Sequence, residues 1–247
     1  MIPKLRLILL GLALPLTAVA AEVPIEELLD ATDDVTRGAS SHGTMSMQVK
    51  TDRYERTMKM EVWSRGTEES LIRILAPAKE KGVSTLKVGD NIWNYLPKID
   101  RTLKIAGAAM SGAWMGSHIS NDDLVKSSRL AEDFTWTVSE EPGPDGTGSW
   151  VIELVPRPDA PVVWGKVVVR IRHDKQPEQI AYFDEKGRLV RTMRFLQIQE
   201  MSGRTFPTVM RVEPADAPGE FTQIQYEQME FDVELPDRTF SLQALKR

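Results

Sequence analysis

From Met45 onward the chain alternates apolar and polar residues with a period of two. "MSMQVK" begins the pattern, "MKMEV" sets Met58, Met60 and Val62 on one face, and "LIRIL" runs from Leu71 to Leu75 before Pro77. Alternate side chains of a strand point to opposite faces, so these runs read as successive antiparallel strands. "KGVSTLKVGDNIWNYLP" carries two more about a turn at Gly89-Asp90-Asn91, and "RTLKI" follows a turn at Lys98 to Asp100. A second series comprises "FTWTVSE", "SWVIELVP", "VVWGKVVVRIRH", "EQIAYFD", "RLVRTMRFLQIQEM", "FPTVMRVE" and "EFTQIQYEQMEF", with hairpin signals at Asp184 to Gly187 and Ser202 to Arg204. Within "KVVVRIR", Val167, Val169 and Ile171 share one face, and Lys166, Arg170 and Arg172 share the other.

Helical spacing is confined to two places. In "EVPIEELLDATDDVTR", Ile25, Leu28, Leu29 and Val35 recur at helical intervals before a stop at Gly38. "NDDLVKSSRL" can open a short helix with Ser120 or Asn121 as cap and Asp122 and Asp123 near the positive end of its dipole. About eleven strands with few helices predict a mainly β protein. The expected architecture is a single curved antiparallel sheet or half-open β-barrel covered by helices and loops, with two packed sheets as the alternative.

Between Ala106 and Ser120 neither period holds. "GAWMG" places Trp114 and Met115 between Gly112 and Gly116, on a support with no face of its own to bury. A bulky apolar pair on such a loop fits a lid over a hydrophobic cavity, with Gly112 and Gly116 as hinges. The six Trp and eleven Met of the chain supply broad, adaptable apolar surface. Trp63, Trp93, Trp136, Trp150 and Trp164 lie on predicted strands, where core packing is the ordinary role.

The first twenty residues bear on location. Lys4 and Arg6, the apolar "LILLGLALPL" and the small residues Ala18-Val19-Ala20 form a secretory signal expected to be cleaved after Ala20. Cleavage takes the basic count from 31 to 29 against 36 acidic residues, a formal charge of −7, which disfavours a nucleic-acid partner. With no Cys there is neither a disulfide nor a thiolate metal site nor a Cys nucleophile, and no lipid-acceptor residue follows the apolar core.

Catalytic constellations are thin. His42, His118 and His173 are widely spaced, and no metal or cofactor is expected. Ser117, His118 and Asp122 or Asp123 can be drawn as a hydrolytic triad, but adjacent residues place Oγ poorly against the imidazole. Cap and turn roles explain them more simply, and the chain is expected not to be an enzyme.

Five segments resemble the outer-membrane lipoprotein-sorting protein family, the LolA-like periplasmic carriers. They are the signal with its short helix, "VGDNIWNYLPKIDRTLKI" (Val88 to Ile105), "GAWMGSHISNDDL" (Gly112 to Leu124), "YFDEKGRLVR" (Tyr182 to Arg191) and the closing "FDVELPDRTFSLQAL". The fairly specific part is carried by Trp93, Tyr95, Pro97, Met115, Gly116, Ser117, Asp123 and Leu124. His118, Ile119 and Asn121 depart from the pattern, so the cargo is expected to differ. The resemblance implies one LolA/LolB-like domain over residues 21–247, a half-open barrel holding acyl chains of lipoproteins or lipids. It also implies an inner-membrane RND-type transporter or an outer-membrane acceptor as partner, and a monomeric periplasmic protein. Trp114, Met115, Trp93, Tyr95, Trp63, Met58 and Met60 are the expected cargo-binding and lid residues. A lipid-sensing adaptor of the same fold is the alternative; the short tail between the last predicted strand and Arg247 favours the carrier.

Overall fold

The computed structural model describes residues 24–126 and 130–246; the expected signal segment and its cleavage point lie outside them. The opening helix is α1 (Ile25–Asp34). Its helical spacing turns Leu28 and Leu29 inward, where both are fully buried. Gly38, at φ +62°, ends the turn, with the N–H groups of Arg37 and Gly38 on the Asp34 carbonyl at 3.0 and 3.1 Å.

Thirteen strands follow rather than about eleven, each on one of the alternating runs. They are β1 (Ser40–Lys50), β2 (Glu55–Arg65), β3 (Glu69–Ala76), β4 (Ser84–Val88), β5 (Asn91–Leu96), β6 (Arg101–Ile105), β7 (Phe134–Glu140), β8 (Ser149–Pro156), β9 (Lys166–Arg172), β10 (Pro177–Phe183), β11 (Leu189–Met201), β12 (Arg204–Pro214) and β13 (Phe221–Phe231). All join one antiparallel sheet, ordered β6-β5-β4-β3-β2-β1-β13-β12-β11-β10-β9-β8-β7. The two-sheet alternative is therefore set aside. Two meanders meet at a seam where the first strand pairs with the last, Met47 opposite Ile224 and Val49 opposite Thr222.

That order leaves β6 and β7 as the edges, so the chain between them has to travel from one edge of the sheet to the other. This crossover, residues 106–133, carries short 3-10 turns at Gly107–Ser111 and Trp114–Gly116, then α2 (Asn121–Lys126) and α3 (Leu130–Asp133). It lies against one face of the sheet, here the inner face. Met45, Met47, Met58, Met60, Ile72, Ile74, Val212 and Ile224 pack there with Trp114 and Ile119 of the crossover. Beside them Leu28, Leu29, Leu130 and Ala131 cover Ile152, Leu154, Val167, Val169, Ile171 and Ile180. The face that Val167, Val169 and Ile171 share in "KVVVRIR" is thus the inward one, and Trp136, Trp150 and Trp164 pack at the border of the same cluster.

Alternation puts a third cluster on the outer face. Trp63, Leu71, Leu86 and Trp93 stand opposite one another across β2, β3, β4 and β5. Phe240, Ala244 and Leu245 of the C-terminal segment cover that row. Among the described residues no helix is long and apolar enough to cross a membrane.

Candidate functional site

The main cavity lies on the inner face across the β1–β13 seam and holds about 1120 Å³ of empty space, part of it open to solvent. Its floor is made by Met45, Val62 and Ile72 from one meander and by Met193, Phe195, Met210, Ile224 and Tyr226 from the other. The end of α1 with the turn after it (Thr32, Val35, Thr36, Arg37) forms one wall, and the crossover (Trp114, Ile119, Asp123, Leu124) forms another. A concave, largely apolar site with few polar groups is the usual form of a small-molecule pocket.

The structure separates the seven expected cargo residues. Trp114 lines the cavity and is also 1% exposed, packed into the inner core with its Nε1–H donated to Thr85 Oγ1 at 3.1 Å. Met115 packs against that core from a left-handed backbone at φ 51°. Met58 and Met60 are wholly buried in the inner core, outside the cavity lining. Trp63, Trp93 and Tyr95 belong to the outer cluster, on the far side of the sheet. Of the two expected hinges, Gly116 has φ +63°, and a side chain there would press on Tyr54 Oη at 3.0 Å. Gly112, at φ −69° and ψ 149°, has a backbone that any residue adopts.

Several contacts fasten the crossover. Tyr54 Oη donates to the Gly116 carbonyl at 2.5 Å, and Arg56 donates to the Met115 carbonyl. Ser120 caps α2 reciprocally: its N–H and hydroxyl bond Asp123 Oδ2 at 2.7 and 2.8 Å, while the Asp123 N–H bonds Ser120 Oγ at 3.1 Å. Arg191 of β11 then takes Asp123 in a fork, Nη1 to Oδ2 at 2.7 Å and Nη2 to Oδ1 at 2.6 Å. Its guanidinium lies 4.6 Å from the centre of the Tyr182 ring and 4.8 Å from that of Trp164. Burial works to raise the Asp123 pKa, but the Arg191 hydrogen bonds and charge, with those from Ser120, bring it below the ordinary carboxylate value.

Ser117 and His118 are engaged separately. Ser117 Oγ donates to the Trp114 carbonyl at 2.7 Å. His118 has Nδ1 at 2.9 Å from Thr222 Oγ1 and Nε2 at 3.1 Å from Glu220 Oε2. The Asp52 N–H and His118 hold the Glu220 carboxyl below its ordinary pKa. Among the described residues no group of three His, Cys, Asp or Glu side chains is placed to hold a metal.

Sequence reasoning missed Arg191 as the partner of Asp123, 68 positions away. It also missed the cavity floor on β11, β12 and β13, although Met193 and Phe195, and likewise Ile224 and Tyr226, are spaced by two as one strand face requires.

A mainly β protein with one open sheet, a crossover joining its edges and an apolar cavity beneath belongs to the class of half-barrel folds. A family model described as "uncharacterized protein" matches residues 66–247, and the chain belongs to that family. Its fold is LolA-like, as the resemblance in sequence implied. A DUF1329 family protein from Desulfovibrio piger is 25% identical, with a TM-score of 0.79 over 89% of this chain and 97% of that one. A putative outer membrane lipoprotein-sorting protein domain from Vibrio parahaemolyticus is 22% identical, with a TM-score of 0.75 over 90% of this chain and 98% of that one. A LolA superfamily protein from Nitrosomonas europaea is also 22% identical, with a TM-score of 0.72 over 90% of this chain and all of that one, 100%. No curated protein matches the chain in sequence.

Proposed function

We propose that the protein is a periplasmic carrier that holds the acyl chains of a lipid or lipoprotein in its inner-face cavity and delivers them between membranes. The observation that carries this reading is an apolar cavity with a cover attached only by non-covalent contacts. Each methylene moved from water into such a cavity gains about 0.8 kcal/mol, so two ordinary chains supply more affinity than a carrier can use unless it opens. The crossover is the element that opens. An inner-membrane RND-type transporter or an outer-membrane acceptor is the partner that shifts it, and neither cofactor nor metal nor nucleic acid enters this reading.

Native mass spectrometry of the protein purified gently from a periplasmic extract tests the proposal. A co-purifying lipid or acylated peptide is expected, on a chain whose N-terminus is Ala21. In solution an apolar fluorescent probe is expected to bind the native protein and to be displaced by a long-chain fatty acid or lipopeptide. A probe signal that appears only on denaturation rejects the cavity as a binding site.

A further inference from the structure

The cavity is not uniformly apolar. Ser41, Ser64 and Ser70 stand directly opposite one another across β1, β2 and β3, and all three line it. Ser41 and Ser64 are 1% and 5% exposed, and their hydroxyl oxygens are 2.7 Å apart. Two hydroxyls joined by one hydrogen bond use one of their two protons. The other proton, and the hydroxyl of Ser70, find no acceptor among the side chains and carbonyls of the described residues. These protons stand in a cavity wall, where they can be donated to an oxygen supplied from outside the protein.

The surroundings say which kind. The row continues on β4 at the buried Lys87, opposite Ser70, whose ammonium is bound to the Thr67 carbonyl. Arg37 lines the cavity wall formed by the end of α1. The carboxylate of the lining, Asp123, is held by Arg191, so it does not oppose an electron-rich oxygen at the hydroxyls. The remaining floor, from Met45 to Ile224, is apolar apart from the hydroxyl of Tyr226. The floor is thus polar along one row and largely apolar beyond it, while Thr32, Thr36, Arg37 and Asp123 stand in the walls.

From this we infer that the serine row binds the carbonyl oxygen of an acyl group, so that the cavity selects acylated ligands over bare hydrocarbon. The inference rests on the carrier reading and adds a head-group determinant to it. The polar row fixes the depth at which the acyl group stops, with the chain running on toward Trp114. A free carboxylate and an ester carbonyl share the required chemistry.

The test is displacement of a bound apolar probe by three ligands of equal chain length: dodecanoate, methyl dodecanoate and 1-chlorododecane. Wild type is expected to bind both carbonyl compounds more tightly than the chloride. Ser70→Ala and Ser64→Ala are each expected to weaken the carbonyl compounds roughly fivefold, the effect of one hydrogen bond, and to leave the chloride unchanged. Ser70→Thr, which keeps the hydroxyl, restores the preference. Dodecanoate alone losing affinity identifies a carboxylate site, and both losing it identifies an acyl-ester site; either supports the serine row. Equal binding of all three by wild type, or equal loss of all three in the variants, overturns it while leaving the carrier intact. Failure of every ligand to displace the probe overturns the carrier reading and this inference together. Ser70 is only partly buried, so its variant folds even where the Ser64 variant is impaired.

Discussion

Arg191 and Asp123 face each other through two parallel hydrogen bonds of 2.7 and 2.6 Å, joining a strand of one meander to the first turn of the crossover helix. The pair also stands at a boundary, since Asp123 and Tyr182 border both the main cavity and a smaller cleft beneath Trp164. Both side chains are largely buried, at 11% and 15% exposure, so neither can be rehydrated if the other is lost.

Removing one partner therefore leaves a charge without compensation. Arg191→Met or Asp123→Asn is expected to lower unfolding free energy by about 3 kcal/mol, near the lower bound for breaking a buried pair. The double variant is expected to lose less than the sum, because no lone charge remains. Urea denaturation of the four proteins checks this cycle, and additive losses would show that the pair is not coupled.

Acid is expected to act through the same contact. Asp123 has a folded-state pKa below its unfolded value of about 3.9, so its contribution is complete above that value and is lost as pH falls through the lower folded one. Stability measured from pH 5 to pH 2 should decline more steeply in wild type than in Asp123→Asn. Parallel curves would place the acid sensitivity elsewhere.

Trp114 is both a cavity wall and part of the inner core, so its truncation is expected to affect binding and stability together. Trp114→Ala should cost about 3–5 kcal/mol and speed probe release, whereas Trp114→Phe, which forfeits chiefly the bond to Thr85, should cost about 1 kcal/mol. Denaturation midpoints and probe off-rates on the same samples decide this. A faster off-rate with an unchanged midpoint would mean that the crossover acts as a loose lid without a core role.

Gly43 occupies the inner face of β1 at the seam. A methyl group there would collide with the Gln228 carbonyl and the Met229 sulfur of β13. Gly43→Ala is expected to destabilise by about 1–3 kcal/mol, the usual range for overpacking. It should also weaken probe binding, because the strands it forces apart carry the cavity floor. Thermal unfolding and a probe titration test both halves of the statement.

What the sequence disclosed was local. Period-two runs located the strands, because alternation follows from strand geometry and needs no partner; the Gly89-Asp90 and Ser202-Gly203 turns were equally legible. Parity alone already set Trp63 against Met58, Met60 and Val62. Which of those faces held the cavity depended on register across several strands, and Trp93 reaches the face of Trp63 only through Leu86 and Leu71. Trp114 was conspicuous for the same reason it was hard to place: its burying partners, Met47 and Ile224 among them, come from strands at opposite ends of the chain. Arg191 closes one of the segments that carry the resemblance, but its role as the partner of Asp123 was not legible, since an arginine in a strand looks like any solvated one until its partner is known.

The seam between β1 and β13 has a consequence for how the molecule is made. Ser41 pairs with Phe231, so the sheet joins its halves only after nearly the whole chain is available. Contacts so distant in sequence form late, because loop closure must precede any gain from them. Each meander can assemble from neighbouring hairpins, but neither contains a complete floor. Binding competence is therefore the last property this chain acquires, and a partly synthesised or C-terminally clipped molecule presents two open sheets of exposed methionine, tryptophan and isoleucine where the finished one presents a pocket.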